Sequence, residues 1–139
     1  MHLVLAANAE ADQQPWVADA AALFAKKVGA TVAVVSVDEV ELERLSPSPR
    51  SIFIERAESA AAAAAERLAA AGVEATQTVL SGGALHRILE FADAQHADLI
   101  VVGASTRPPL ASRLLGSVPL ALIAASTRPV LVVPNPARG

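Results

Sequence analysis

Short apolar runs alternate along the chain with longer stretches in which apolar residues return every third or fourth position. Leu3 to Ala7 is a compact apolar run, the pattern of a strand buried on both faces. From Pro15 to Val28 the positions Val17, Ala20, Ala21, Phe24 and Val28 recur at helical spacing. Pro15 suits a first helical turn and Gly29 a C-terminal stop. Thr31 to Val37 is β-branched and apolar, a second strand. Glu39 to Arg50 is acidic and then carries Pro47 and Pro49, so it reads as a loop, with the acids of Asp38 to Glu43 solvated. Ser51 suits the cap of a second helix that ends before Gly72, with Ala57, Ala61, Ala64, Leu68 and Ala71 as its inner stripe. A stripe of such small residues predicts close approach to whatever it covers. Val73 to Leu80 alternates as a third strand, and Ser81-Gly82-Gly83 turns the chain. Ala84 to Gln95 is a third helix with Leu85, Ile88, Leu89 and Ala92 facing inward. Leu99 to Val102 is a fourth strand, Gly103 to Arg113 a loop, and Ser117 to Ala125 a fourth helix with Pro119 in its first turn. Val130 to Val133 is a fifth strand, closed by Pro134.

Alternating strands and helices, with strands apolar on both faces, specify an α/β domain: a parallel sheet covered by helices on both sides. The crossovers should be right-handed. Ligands in such sheets sit at the carboxyl ends of the strands, where the strand order reverses. That directs attention to the loops at 8–14, 38–50, 81–83 and 103–113. No internal repeat is visible.

The 139 residues fit a single domain spanning positions 1–139. The hydrophobic fraction of 53% is high, but much of it is alanine, which favours helix and adds little core volume. Aromatic residues are confined to Trp16, Phe24, Phe53 and Phe91, so stacking on bases is an unpromising binding mode. The net charge of -3, without a basic cluster, argues against nucleic acid as a partner. The absence of cysteine excludes disulfides and thiolate chemistry. Ala7-Asn8-Ala9 mimics a signal cleavage site, yet the apolar run before it is short and no basic residue precedes it. No apolar stretch approaches the roughly 20 residues of a membrane span. A cytoplasmic protein with no membrane partner is expected.

Most catalytic signatures are missing. His2, His86 and His96 are isolated, with His86 placed on an exposed helix face, and no pair has zinc spacing. There is no G-x-S-x-G elbow, no G-x-G-x-x-G and no P-loop lysine. Ala6-Ala7-Asn8 lacks the acidic cluster of a phospho-acceptor domain. Ser81-Gly82-Gly83 is similar to the turn of pyrophosphatase-type ligases, but that turn follows a first strand and this one a third, so it reads as structural.

The richest segment runs from Val101-Val102-Gly103-Ala104-Ser105-Thr106-Arg107 to Leu114-Leu115-Gly116-Ser117-Val118. Gly103 closes a buried strand, either as a plain turn or to let the backbone approach a ligand. Gly116 and Ser117 put free amides and a hydroxyl at a helix start, which serves as an N-cap and as an anion site. Arg107 and Arg113 read as solvated charges or as phosphate contacts.

At these residues the sequence resembles the universal stress protein family. That family's nucleotide motif is a glycine, two residues, a second glycine, nine residues, then Gly-Ser or Gly-Thr. Gly103, Gly116 and Ser117 fall on three of its four positions. Gly72-Val73-Glu74, Gly82, the run Ala97 to Gly103 and the run Pro129 to Val133 follow the family pattern in order, so the resemblance covers nearly the whole chain. It implies a Rossmann-like, adenine nucleotide alpha hydrolase-like fold, a five-stranded parallel sheet of order 3-2-1-4-5. It implies a non-catalytic stress-response protein binding ATP or another adenine nucleotide, with magnesium only alongside ATP. The site residues carried over are Asn8, Val37, Gly103, Thr106, Arg107, Arg113, Gly116, Ser117 and Val118. Val35 and Val37 resemble positions that flank adenine, and core packing explains them equally well.

Two departures weaken the phosphate loop. Thr106 stands where the motif has its second glycine, and Ala7-Asn8 stands where ATP-binding members carry an aspartate. Pro108 and Pro109 also remove amide donors from the loop. The alternative is therefore the same fold with nucleotide binding lost, acting as a dimeric interaction or chaperone-like module. A slow ATPase is a third reading, short of a general base.

Two surfaces stand out. The fourth helix, Val118 to Ala125, is apolar nearly all round, so Leu120 or Leu122 is expected to pack against a second subunit or a neighbouring domain. In the family the last strand lies at the sheet edge and pairs with its copy. Val130 to Val133 is thus the expected homodimer contact, with Pro129 and Pro134 limiting its length.

Overall fold

The computed structural model describes residues 1–9, 14–39, 50–104 and 118–136. Five strands, β1 (His2–Ala7), β2 (Thr31–Glu39), β3 (Ala75–Gly82), β4 (Leu99–Gly103) and β5 (Val130–Val133), form one parallel sheet in the order β3-β2-β1-β4-β5. Among the described residues four helices, α1 (Pro15–Val28), α2 (Arg50–Ala70), α3 (Ala84–Ala94) and α4 (Val118–Ala125), alternate with them. The fold is therefore the one the sequence pattern and the resemblance specify.

Period-two alternation divides each central strand between two cores. Leu3 and Leu5 of β1 pack with α1 and α2, in a cluster with Val17, Ala21, Ala61 and Leu68. Val4 and Ala6 point the other way, into a cluster with Ile88 of α3 and Leu122 of α4. Leu3, Val4, Leu5, Val34, Val35, Ile100 and Val101 are almost wholly excluded from solvent. Burying both faces is what makes these strands read as unbroken apolar runs.

Several boundaries move from their expected places for identifiable reasons. The inner stripe of α1 is Val17, Ala18, Ala21, Ala22 and Ala25, not the expected set ending in Val28, which is 44% exposed. Alanines on both sides of the stripe blur the periodicity, and the turn of α1 that faces the sheet is the one with the smallest side chains. Helix α2 buries Ala57, Ala61, Ala64 and Leu68, as the alanine pattern predicts, together with Ala60, whereas Ala71 lies past its end and is half-buried. It begins at Arg50, so Ser51 lies within the helix and not before it. At its end Gly72 takes φ 82°, and the amides of Gly72 and Val73 return to the carbonyls of Ala69 and Leu68, both at 2.9 Å. Val73 is thereby held against the helix, and β3 starts at Ala75.

Strand β2 continues through Glu39, two residues beyond its expected end. Asp38 is consequently not part of a solvated loop. It is 1% exposed, and its carboxylate accepts a hydrogen bond from Ser81 Oγ at 3.2 Å on the neighbouring β3.

Helix α4 is apolar for a reason that divides its residues. Leu122 is fully buried in the α3/α4 core, which corrects its expected role as an outward contact, whereas Leu120 is 69% and Ile123 56% exposed. Strand β5 forms one edge of the sheet, and Leu131 on it is exposed. Among the described residues no helix is long and apolar enough to cross a membrane.

Candidate functional site

The order β3-β2-β1-β4-β5 makes the pair β1 and β4 the switch point of the sheet. The chain leaves β1 toward β2 on one side and leaves β4 toward β5 on the other. In sheets of this topology a ligand crevice lies above the carboxyl ends of such a pair. Register aligns the two ends: Ala6 lies beside Val102, and each strand ends one residue later, at Ala7 and at Gly103.

Local hydrogen bonds fix these ends. Ser36 Oγ donates to the Ala7 carbonyl at 3.2 Å, tying β1 to β2. The Ala104 amide donates to the Val133 carbonyl at 2.9 Å, tying β4 to β5. Gln14, just before α1, sends its side chain across: its Nε2 donates to the Ala104 carbonyl at 3.3 Å. Its own carbonyl accepts from the Val17 amide at 3.0 Å and starts the helix.

Gly103 is where these parts meet. A Cβ added to it would lie 2.0 Å from Gln14 Oε1 and 2.8 Å from Val17 Cγ2. No ordinary Cβ tolerates either distance, so the missing side chain makes room for Gln14 and Val17. Where the sequence offers a plain turn or the close approach of a ligand, the groups that approach Gly103 here belong to the protein itself.

A cavity of about 300 Å³ adjoins this point on the α1/α2 side. Its floor is the carboxyl end of β1, including Ala7 and Asn8, and Gln14, Ala60, Ala64 and Arg67 line its walls. The alanines of α2 leave this space because they reach so little distance from the backbone. At its rim Arg67 holds Asp19 through two bonds of 2.8 Å, from Nε to Oδ1 and from Nη2 to Oδ2. The hydrogen bonds from Arg67 keep the Asp19 carboxyl below its ordinary range, and Asp19 raises the guanidinium in return. That cation is already engaged and is a poor phosphate receptor. Both side chains are about half exposed, so the pair contributes little to stability.

The remaining candidates fall as follows. Asn8 borders the cavity. Val37 is 6% exposed and packs with Ala84 and Ile88, so core packing accounts for it. Val118 opens α4 and is half-buried against the same cluster. Thr106, Arg107, Arg113, Gly116 and Ser117 lie outside the described residues. Among the described residues no three carboxylate or histidine side chains group to hold a metal. His86 is exposed beside Glu90, while His2 at the opposite end of the sheet bridges Thr31 and Gln95 at 2.6 and 2.9 Å.

Two residues at this edge escaped sequence reasoning. Asp38 was legible in principle, since Val35, Ser36, Val37, Asp38 keeps the alternation of β2 going. Nothing in the sequence marks Gln14 out beyond its place before Pro15.

Comparison with known proteins decides the family. The model of the universal stress protein family matches residues 1–134. The chain belongs to that family. Three solved members share its fold over almost their full length. A universal stress protein solved in complex with cAMP superposes with a TM-score of 0.76 at 23% identity, covering 97% of each chain. A universal stress protein from Archaeoglobus fulgidus gives 0.73 at 26% identity, covering 96% of this chain and 98% of its own. One from Archaeoglobus fulgidus in complex with dAMP gives 0.70 at 25% identity, covering 96% and 97%. No curated protein matches the sequence significantly.

Proposed function

We propose that this chain is a non-catalytic regulatory protein that binds an adenine nucleotide at the β1/β4 crevice. The observation that carries the reading is the switch point itself, where the parallel neighbours β1 and β4 end at Ala7 and Gly103, in a fold whose relatives include complexes with cAMP and dAMP. Gly103, Thr106, Arg107, Arg113, Gly116, Ser117 and Val118 follow β4 and would supply the phosphate side, with Ser117 and Gly116 donating from a helix start. Asn8 would offer its carboxamide to the nucleoside, and Val37 would bound it from β2. Magnesium would enter only with ATP, held mainly by the phosphates.

A second reading keeps the fold and loses the nucleotide. It is favoured by the filling of the space beside Gly103 and by Asn8 in place of an acid. The chain would then act as a dimeric interaction or chaperone-like module in the cytoplasm.

Isothermal titration with ATP, AMP and cyclic AMP, with and without magnesium, separates the two. The nucleotide reading expects saturable heat with at least one of them, weakened about fivefold or more by Ser117→Ala, the loss of one charge-assisted hydrogen bond. Saturable binding that Ser117→Ala leaves unchanged places the phosphates elsewhere. Absence of heat with all three supports the second reading.

A further inference from the structure

We propose that Gln14 is the gate of the crevice: its side chain occupies the niche beside Gly103 through which a nucleotide would reach the end of β4. The proposal rests on the nucleotide reading above and adds a residue that decides access to that site.

Three observations place it there. The Gln14 side chain crosses from the start of α1 to the end of β4 and bonds the Ala104 carbonyl. Its Oε1 stands where a side chain on Gly103 would begin. It also lines the neighbouring cavity, so it is the partition between that space and the backbone of Gly103. The partition is made of a flexible side chain with a single neutral bond of 3.3 Å to its far anchor, whereas Val17 beside it is stiff. Of the two groups in the niche, Gln14 is the one that can leave. A ligand drawn to Gly103 must displace it and lose the Ala104 bond, and its apparent affinity is reduced by the fraction of molecules with the gate shut.

The gate can be removed without removing the helix. Gln14 makes no side-chain cap bond, and its contact with Val17 runs through the main-chain carbonyl, which every residue has. Gln14→Ala should therefore fold, and circular dichroism with a thermal melt checks that it does. Gln14→Leu keeps nearly the same bulk in the niche and serves as the control.

Titration with AMP, and with ATP plus magnesium, tests the proposal. Gln14→Ala is expected to bind about fivefold tighter than wild type, because the niche is no longer filled by a side chain that must move aside. Gln14→Leu should show no such gain. Binding by Gln14→Ala where wild type is silent also supports the gate. If wild type binds and Gln14→Ala binds equally or more weakly, the gate is wrong while the nucleotide reading stands. Equal gains in both variants overturn the filled niche as the cause. If neither wild type nor Gln14→Ala binds, the nucleotide reading fails and the gate with it.

Discussion

Gly103 shows how one position can satisfy two readings. As the last residue of β4 it pairs with Val133, and no positive φ demands a glycine there. Its requirement is space, set by Gln14 and Val17. Gly103→Ala should therefore destabilise the fold by about 1–3 kcal/mol, the usual cost of forcing a methyl into occupied volume. Urea denaturation measures this, and the loss should shrink in a Gln14→Ala background, since one of the two obstructing groups is then gone. Additive losses would mean that Gln14 does not press on Gly103. The sequence marks Gly103 through its motif spacing, but it is silent on Gln14, whose partners lie about 90 positions away. Asp38 fails for another reason: an acid at a strand's end looks solvated until its neighbour Ser81 is known.

At the scale of elements, α4 and β5 carry the surface that the sequence flags. Apolar content alone cannot say which side of a short helix faces inward, and α4 resolves this with Leu122 in the core and Leu120 and Ile123 outside. Among the described residues no strand pairs with the outer side of β5. We propose that this edge pairs with its copy across a two-fold axis, which closes the assembly at two chains. Sedimentation should give twice the chain mass. Leu131→Lys, a charge on the edge strand, should shift the equilibrium toward one chain with the fold retained. A single-chain mass at high concentration would rule the pairing out. The long α2 was legible from its alanines, and the end of β2 only from the alternation through Ser36 and Asp38, which the acidic run after it obscures.

For the whole molecule, strand number, helix alternation and parallel pairing follow from periodicity, since only a sheet covered on both faces buries such runs. The order 3-2-1-4-5 came with the family resemblance, because local pattern does not say which strands lie side by side. That order brings the ends of β1 and β4 together, although they are far apart in sequence, and on this juxtaposition the proposed function depends. The most direct measurement is a backbone amide NMR titration of the full chain with AMP. The proposed function predicts the largest shifts at Asn8, Gln14, Gly103 and Ala104 and through the segment leading to Ser117 and Val118, with the amino ends of the strands, including His2 and Thr31, unmoved. Saturating shifts clustered away from the carboxyl ends of β1 and β4, or no shifts at all, would contradict it.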